Sequence, residues 1–303
     1  MIIRKSTVLV TGCDAKFFGY MESALQSLEG INIDMRADIG VLDLGLTAAQ
    51  VEHLTGMGCI VKKPVWSLSI PQEMQISHQI GLVARTALRD YFPGYSTYIW
   101  FDADAWAQTP EFFDMLTDGA SAKGAAVIRE NGSNYRRDWA YAKWWFGNMV
   151  ATYGLLRGLS VAWKPSINIG IMALSDKASH WDAWIRYYQQ FIEKRGKVNN
   201  QHAFNAAVEL DRLDYALLPA RCNWIPVLSS PVWNPGNHTL CEPNGSHKPL
   251  SVIHLAGPDK DRLYKLKQTT QGGDYETSLT YQALKTPSML DKIDDVLDVK
   301  LAG

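Results

Sequence analysis

The chain has few cysteines and no long hydrophobic run. Its four cysteines, Cys13, Cys59, Cys222 and Cys241, are scattered over 303 residues without a CxxC pair. This argues against a structural zinc site or a disulfide framework and is typical of a reducing compartment. No apolar stretch approaches the length of a transmembrane helix, and the apolar part of residues 1–10 is too short for a signal peptide. We therefore expect a cytoplasmic protein without a transmembrane segment.

An excess of charge of one sign is also missing. The 30 basic and 31 acidic residues leave a net charge of −1, which gives no global attraction to nucleic acid or to an anionic membrane. A hydrophobic fraction of 47% indicates an ordinary globular protein with a sizeable core. Aromatic residues are plentiful, with 11 Trp, 13 Tyr and 9 Phe, which agrees with a carbohydrate ligand because aromatic rings stack on sugars.

Strand and helix patterns alternate along the first 130 residues. The predicted strands are residues 6–11, 39–44, 59–62, 98–101 and 125–129. The predicted helices are residues 17–28, 48–57 and 75–91, and one that opens at Pro110 with Thr109 as its N-cap. This alternation predicts an α/β fold with a mostly parallel central sheet flanked by helices. Ligands of such sheets bind beyond the carboxyl ends of the strands.

The later part of the chain is less regular. Residues 131–159 are rich in aromatic and basic side chains and are expected to form one or two helices with loop. Strands are predicted at residues 166–174 and 252–254, and helices at residues 180–194 and 200–209. The polar tail ends in a short amphipathic stretch over residues 289–297.

The most informative segment is residues 98–106, in which an apolar strand leads into Asp102 and Asp104. Residues two apart in a strand point to the same side, so both carboxylates are expected to face one site. Paired carboxylates near a core repel each other, and a divalent cation such as Mg²⁺ or Mn²⁺ removes that conflict while keeping positions open for phosphates. The alternative is a pair of solvated loop aspartates.

Further polar motifs stand in a characteristic order around this pair. They are Thr11-Gly12-Cys13-Asp14, Arg85, Asn168-Ile169-Gly170, Asn200-Gln201-His202-x-x-Asn205 and His254-x-x-Gly257-x-x-Lys260. Together with Asp102-x-Asp104, the order resembles the GT-A fold glycosyltransferases over residues 6–262. It is most similar to family 8, which includes glycogenin and the bacterial lipopolysaccharide galactosyl- and glucosyltransferases. One departure is Asn200, because the family usually has aspartate before the glutamine.

The resemblance implies a function and a domain plan. It implies metal-dependent transfer of a hexose from a UDP-sugar to a hydroxyl of a carbohydrate or other acceptor, with Mn²⁺ or Mg²⁺ as cofactor. It also implies one GT-A domain over residues 1–265, followed by a tail over residues 266–303. Within the domain, residues 1–130 would bind the nucleotide, and residues 131–265 would complete the metal and acceptor sites.

The resemblance also implies roles for individual residues. The metal ligands would be Asp102, Asp104 and His254, with Asp102 shared with the ribose. The donor nucleotide and its phosphates would be held by Thr11, Asp14, Arg85, Asp102, Gly257 and Lys260. The reacting sugar would be contacted by Gln201, Asn168 and Asn200. A mixed oxygen and nitrogen ligand set favours Mn²⁺.

Each assignment has a structural alternative. Arg85 could be a surface arginine that pairs with a carboxylate, Lys260 a solvated surface lysine, Asp14 a helix cap, Asn168 a turn amide, and His254 a strand-end histidine. The aromatic and basic segment over residues 135–146 is interpreted as an acceptor lid or as a buried amphipathic helix, and a membrane-surface role is less favoured because its basic residues are few.

Three other functions compete with glycosyl transfer. They are a sugar-phosphate nucleotidyltransferase, a haloacid-dehalogenase-type phosphatase and a non-catalytic nucleotide-sugar-binding module. Ala105 after the second aspartate and the late position of the motif disfavour the phosphatase. Around Gln201 the local sequence offers amides and an imidazole but no carboxylate base, which predicts transfer with retention of configuration.

Overall fold

The structure is a computed structural model that describes residues 5–76, 79–130, 135, 139–270 and 273–285. The described strands are β1 (Thr7–Cys13), β2 (Asp38–Asp43), β3 (Ile60–Lys62), β4 (Thr97–Phe101), β5 (Ala105–Ala107), β6 (Ala125–Arg129), β7 (Ile167–Ser175), β8 (Ala216–Leu218), β9 (Val232–Asn234), β10 (Thr239–Cys241), β11 (Val252–His254), β12 (Leu263–Gln268) and β13 (Tyr275–Ser278). The described helices are α1 (Phe18–Glu29), α2 (Ala48–Gly56), α3 (Ile80–Ala84), α4 (Leu88–Tyr91), α5 (Glu111–Lys123), α6 (Trp139–Tyr153), α7 (Leu155–Ala162), α8 (His180–Arg195), α9 (Asn200–Leu210) and α10 (Tyr281–Lys285).

A seven-stranded sheet forms the centre, in the order β3-β2-β1-β4-β7-β6-β8. β7 runs antiparallel to β4 and β6, and the other paired neighbours are parallel. The prediction of a mostly parallel α/β sheet is therefore confirmed.

Alternating side chains of the central strands form two core layers. Along β1, Val8 and Val10 join one buried cluster and Leu9 joins the other. All five residues of β4 are buried. Helices cover both faces, which is why these strands are apolar throughout rather than alternately polar.

Most predicted elements are found within two residues of their expected ends, but the helix predicted over residues 75–91 is wrong. The chain instead forms short helices α3 and α4 with a 3₁₀ turn, Arg85–Ala87, between them. The Thr86 hydroxyl donates to the Val83 carbonyl at 2.8 Å and so competes with the backbone ladder at this point.

The expected cap of α5 is also wrong. Pro110 is the N-cap residue, with no side-chain cap. The hydroxyl of Thr109 donates instead to Ser251 Oγ at 3.0 Å.

Two smaller sheets complete the described fold. One is four-stranded, in the order β10-β9-β12-β13, and the other is a ribbon of β5 and β11. The boundary expected at residue 265 falls inside β12, and Lys267 and Gln268 pair with β9. The amphipathic stretch predicted at 289–297 lies outside the described residues. None of the described helices is both long and apolar enough to cross a bilayer.

Candidate active site

A cavity of about 500 Å³ opens at the carboxyl ends of β1 and β4, which are neighbours in the central sheet. Its wall is made by the end of β1, the start of α1, the α3 region and the turn after β4: Gly12, Cys13, Asp14, Phe17, Leu44, Gly81, Leu82, Arg85, Trp100, Asp102, Ala103 and Asp104. This is where the strand-end rule places a ligand, and the volume suits a small molecule.

Asp102 and Asp104 lie in a tight turn rather than in a strand. β4 ends at Phe101, and the amide of Ala105 donates to the Asp102 carbonyl at 3.0 Å before β5 begins. The strand-alternation argument is therefore wrong in detail. Its conclusion holds because the turn still directs both carboxylates to one point, where His254 lies.

The ribbon of β5 and β11 brings His254 to the aspartates. In its antiparallel register, His254 pairs with Ala105. The amide of Leu255 also donates to the Asp104 carbonyl at 2.9 Å. The ribbon thus places a nitrogen ligand beside two oxygen ligands that are far away in sequence.

The three side chains form a compact group of possible metal ligands. One ligand atom from each of Asp102, Asp104 and His254 lies within 4.8 Å of the others. His254 Nε2 is 3.6 Å from Asp102 Oδ2 and 3.4 Å from Asp104 Oδ1. Two carboxylates and an imidazole are a ligand set that suits a divalent cation.

Asn223 orients the imidazole for such a role. Its side-chain amide nitrogen donates to Asn168 Oδ1 at 2.9 Å, so its oxygen faces His254 Nδ1, also at 2.9 Å. Nδ1 therefore carries the proton, and Nε2 is the nitrogen presented to the carboxylates. An outer hydrogen bond of this kind fixes the tautomer of a metal-binding histidine. The residues present fit a divalent cation.

The charges in the site compensate one another. Burial alone raises the pKa of Asp104, but His254 and Lys260 outweigh it and hold that pKa below its usual range. Burial lowers the pKa of His254, yet the charges of Asp104 and Asp102 outweigh it and raise that pKa. A cation between the carboxylates would take the place of the Nε2 proton.

Two cations clamp the aspartates from outside. Arg85 forms an ion pair with Asp102 Oδ1, which also accepts a hydrogen bond from Trp100 Nε1 at 2.8 Å. The guanidinium lies 4.2 Å from the centre of the Trp100 ring. Lys260 forms an ion pair with Asp104 Oδ2. Both side chains are mostly buried, so Lys260 is not a solvated surface lysine. Arg85 pairs with a carboxylate, as its structural alternative predicted, but it does so away from the surface.

Gly170 of β7 lies directly against the cluster of possible metal ligands. A Cβ at this position would lie 2.4 Å from His254 Cε1 and 2.6 Å from Asp102 Oδ2. The amide of Asp102 donates to the Gly170 carbonyl at 2.8 Å. The glycine thus lets β7 support the turn while its missing side chain leaves room for the ligands.

A carboxylate that the local sequence did not reveal is linked to His254 by hydrogen bonds through Asn168 and Asn223. Glu130 follows the last residue of β6, and its Oε1 accepts from Asn168 Nδ2 at 2.6 Å and from Gln201 Nε2 at 3.0 Å. Its Oε2 accepts from the hydroxyls of Tyr141 and Ser166, each at 3.0 Å. The sequence around Gln201 offers no carboxylate, but the fold brings one to it, because Glu130, 71 positions earlier in the chain, lies within hydrogen-bond distance of the Gln201 amide.

The predicted sugar-contacting residues already make hydrogen bonds within the protein. Asn168 is buried and also accepts from the Gly170 amide at 2.7 Å. Asn200 is buried as well, and its amide nitrogen donates to the Leu82 carbonyl at 3.1 Å, which ties α9 to α3. Gln201 is the member of the three that lies half-buried at the edge of the network.

The predicted donor-binding residues lie near the cavity in different ways. Asp14 lines it and also accepts from the amides of Lys16 and Phe17, so it stabilises the turn before α1. Thr11 is buried within β1, and its hydroxyl has no hydrogen-bond partner among the described residues. Gly257 has a φ of 104°, a backbone conformation that favours glycine in the loop between His254 and Lys260.

The segment predicted as a lid or a buried helix lies over Glu130. Tyr141 of α6 reaches Glu130, and Trp144 packs edge-on against His202 of α9 at 4.7 Å. Tyr135 is buried against Trp224. Residues 136–138 lie outside the described part of the chain.

Sequence reasoning did not identify Glu130 and Asn223 as neighbours of the candidate site. The strand-end rule could have found Glu130, since it directly follows β6. Nothing in the local sequence marks Asn223, which becomes important only because it packs between His254 and Asn168.

Known structures share this architecture, although sequence comparison finds no relative. No protein-family model and no curated protein matches the chain. The galactosyltransferase LgtC, solved with donor and acceptor sugar analogs, has a TM-score of 0.53 at 15% identity, covering 83% of this chain and 87% of that one. Mouse xyloside xylosyltransferase 1 has a TM-score of 0.51 at 13% identity, with 83% and 97% covered. The glycosyltransferase GlyE of Streptococcus pneumoniae TIGR4 has 0.53 at 15% identity, with 96% and 63% covered.

At these identities the similarity establishes the fold. The chain has the GT-A glycosyltransferase fold, as the motif order predicted. Its Asp102, Asp104 and His254 form a possible metal-binding group at the cavity of that fold.

Proposed function

We propose that this chain is a metal-dependent glycosyltransferase that moves a hexose from a UDP-sugar to an acceptor hydroxyl with retention of configuration. The observation that carries the proposal is the Asp102, Asp104 and His254 group, which lies beside a ligand-sized cavity in a GT-A fold. A divalent cation held there would supply Lewis-acid stabilisation of a leaving diphosphate.

The cavity supports a nucleotide donor. Asp14 and Phe17 line its wall at the end of β1, while Asp102 and Asp104 line it after β4. The base and ribose would lie toward β1 and the diphosphate toward the carboxylates. Lys260 would exchange its ion pair with Asp104 for the diphosphate charge. The UDP and hexose identities rest on the motif resemblance.

Retention is supported by how Glu130 is held. Each of its oxygens accepts two hydrogen bonds from the protein. The carboxylate therefore positions its neighbours rather than acting as a general base. The bond from Gln201 Nε2 turns the amide oxygen of Gln201 away from Glu130. That oxygen would stabilise positive charge at the anomeric carbon while the departing phosphate takes the proton of the incoming hydroxyl.

The metal and donor assignments are tested by thermal unfolding with UDP. We expect UDP to raise the Tm much more with Mn²⁺ than with EDTA, and GDP to raise it less. Asp104→Ala should abolish both the Mn²⁺-dependent shift and turnover of a UDP-hexose. Equal shifts with Mn²⁺ and EDTA, or an active Asp104→Ala variant, would remove the metal site from the mechanism.

The stereochemical assignment needs a separate experiment. Proton NMR of the fresh product from an α-linked donor should show an α-anomeric coupling. A β-anomeric coupling would contradict retention and would make Glu130 the first candidate for a base.

A further inference from the structure

Helices α6 and α7 expose an unusual amount of apolar surface. The α6–α7 face, as we call it, consists of Trp139, Leu155, Leu156, Leu159 and Trp163. The exposed fractions of Trp139, Leu156 and Trp163 are 82%, 83% and 79%. Of these residues only Trp139 belongs to the segment interpreted from the sequence as an acceptor lid or a buried helix, and its exposure argues against burial of that end of the segment.

These residues lie on one continuous surface. Leu156, Leu159 and Trp163 are spaced by three and four positions, which places them on one side of α7 and its C-cap. The Phe146 ring contacts Trp163 with 5.7 Å between centroids, and this links the two helices. Trp139 precedes Phe146 by seven positions and therefore lies on the same side of α6.

The charge of the hairpin has one sign. Residues 139–165 contain three basic residues, Lys143, Arg157 and Lys164, and no acidic residue, although the whole chain carries 31 acidic residues. All three basic residues are exposed. Tryptophan and leucine on one side, bordered by lysine and arginine, form the pattern of helices that lie in the interface of an anionic bilayer.

We propose that the α6–α7 face docks on the surface of an anionic lipid bilayer. Its apolar side chains enter the headgroup boundary, and Lys143 and its basic neighbours contact lipid phosphates. A symmetric dimer through the same face is disfavoured because it would bring the basic residues of two copies together. The other side of the hairpin contacts Glu130 through Tyr141, so docking holds the candidate transfer site close to the membrane surface.

Vesicle flotation tests the docking without donor, metal or acceptor, so its result is independent of the proposed transfer activity. The intact chain should float with phosphatidylcholine vesicles that contain phosphatidylglycerol, and less with phosphatidylcholine alone or at high salt. The double variant Leu156→Ser with Trp163→Ala should lower the partition coefficient by at least about tenfold. Lys143→Gln should lower it by about fivefold on anionic vesicles only.

Matched controls lie on β12. Leu263 is 59% exposed and Lys265 has a 72% exposed side chain, so Leu263→Ser and Lys265→Gln make the same kinds of change on another surface. Both should bind vesicles like the unchanged chain, and circular dichroism should show every variant folded.

Three results would overturn the proposal. The first is no flotation of the intact chain with anionic vesicles. The second is an equal loss of binding in the β12 controls. The third is a dimer in light scattering that Leu156→Ser abolishes, without vesicle binding, which would assign the face to a second copy of the chain. A blue shift of tryptophan fluorescence on anionic vesicles, reduced in Trp163→Ala because Trp139 is then the remaining tryptophan of the face, would support the docking directly.

Discussion

Replacing Gly170 by alanine would place one methyl group in the middle of the candidate metal site. The added carbon would lie 2.4 Å from His254 Cε1, 2.6 Å from Asp102 Oδ2 and 2.9 Å from Asn168 Oδ1. These neighbours cannot easily move away from the added methyl group, because other contacts hold them in place. Asp102 is held by Arg85 and Trp100, His254 by Asn223, and Asn168 by three hydrogen bonds.

The size of the effect follows from these restraints. Overpacking of this kind lowers the free energy of unfolding by about 1–3 kcal/mol. Roughly 0.5–1 kcal/mol of that loss is offset, because alanine leaves the unfolded chain less flexible than glycine does. Metal binding suffers more, because the methyl group separates two ligands. Displacing ligands, like removing their outer hydrogen bonds, should weaken Mn²⁺ binding by about 10- to 100-fold, or about 1.4–2.7 kcal/mol.

Calorimetric titration of UDP at several Mn²⁺ concentrations measures this loss, and urea unfolding measures the stability. Gly56→Ala is the matched control, because a Cβ there meets nothing within 4 Å at the end of α2. We expect it to bind UDP and Mn²⁺ like the unchanged chain. A Gly170→Ala protein that is folded and keeps the original Mn²⁺ dependence would refute the assignment of this metal site.

Three other substitutions test separate parts of the site. Asn223→Leu removes the partner of His254 Nδ1 and should weaken Mn²⁺ binding about 10- to 100-fold in the same titration; unchanged binding would mean that the tautomer is not set by Asn223. Glu130→Gln should misplace Gln201 and lower kcat about 100-fold in initial-rate assays with little change in UDP affinity, whereas a loss of UDP affinity alone would place Glu130 in donor binding. Burial, with the charges of Lys197 and Arg195, lowers the pKa of His202 from an ordinary value of 6.5 to about 3. Between these two pH values the unfolded chain binds a proton at His202 that the folded chain does not bind. The free energy of unfolding therefore falls as the pH falls through this range. In urea unfolding, His202→Leu should lose about 2 kcal/mol less than the unchanged chain between pH 7.5 and pH 5, and equal losses would show that His202 does not titrate on unfolding.

The sequence predicts the central sheet well because its signals are local. In this sheet the strand over residues 125–129 has the observed bounds, and so does the strand over residues 252–254 of the β5–β11 ribbon; each is a short, mainly apolar run. Asp102, Asp104 and His254 could be named from their motif order, and the structure brings them together.

Other features depend on contacts between distant segments. The helix expected over residues 75–91 is interrupted where the Thr86 hydroxyl donates to the Val83 carbonyl. The spacing of apolar residues in the sequence does not reveal this hydrogen bond. Glu130 gains its place from four partners on three other segments, so its neighbours in sequence do not reveal it. The exposure of Trp163 likewise depends on which side of α7 faces the core.

The ribbon of β5 and β11 has a consequence for the order of folding. It joins Ala105 to His254 across about 150 residues, and closing so long a loop is slow because the entropy cost precedes any favourable contact. A growing chain on the ribosome can form β1 to β4 and the turn with Asp102 and Asp104 long before residue 254 is made. Until β11 arrives, Asp104 lacks both His254 and Lys260, the two partners that compensate its charge. The complete site therefore cannot form before residues 254–260 have been made and β11 has paired with β5.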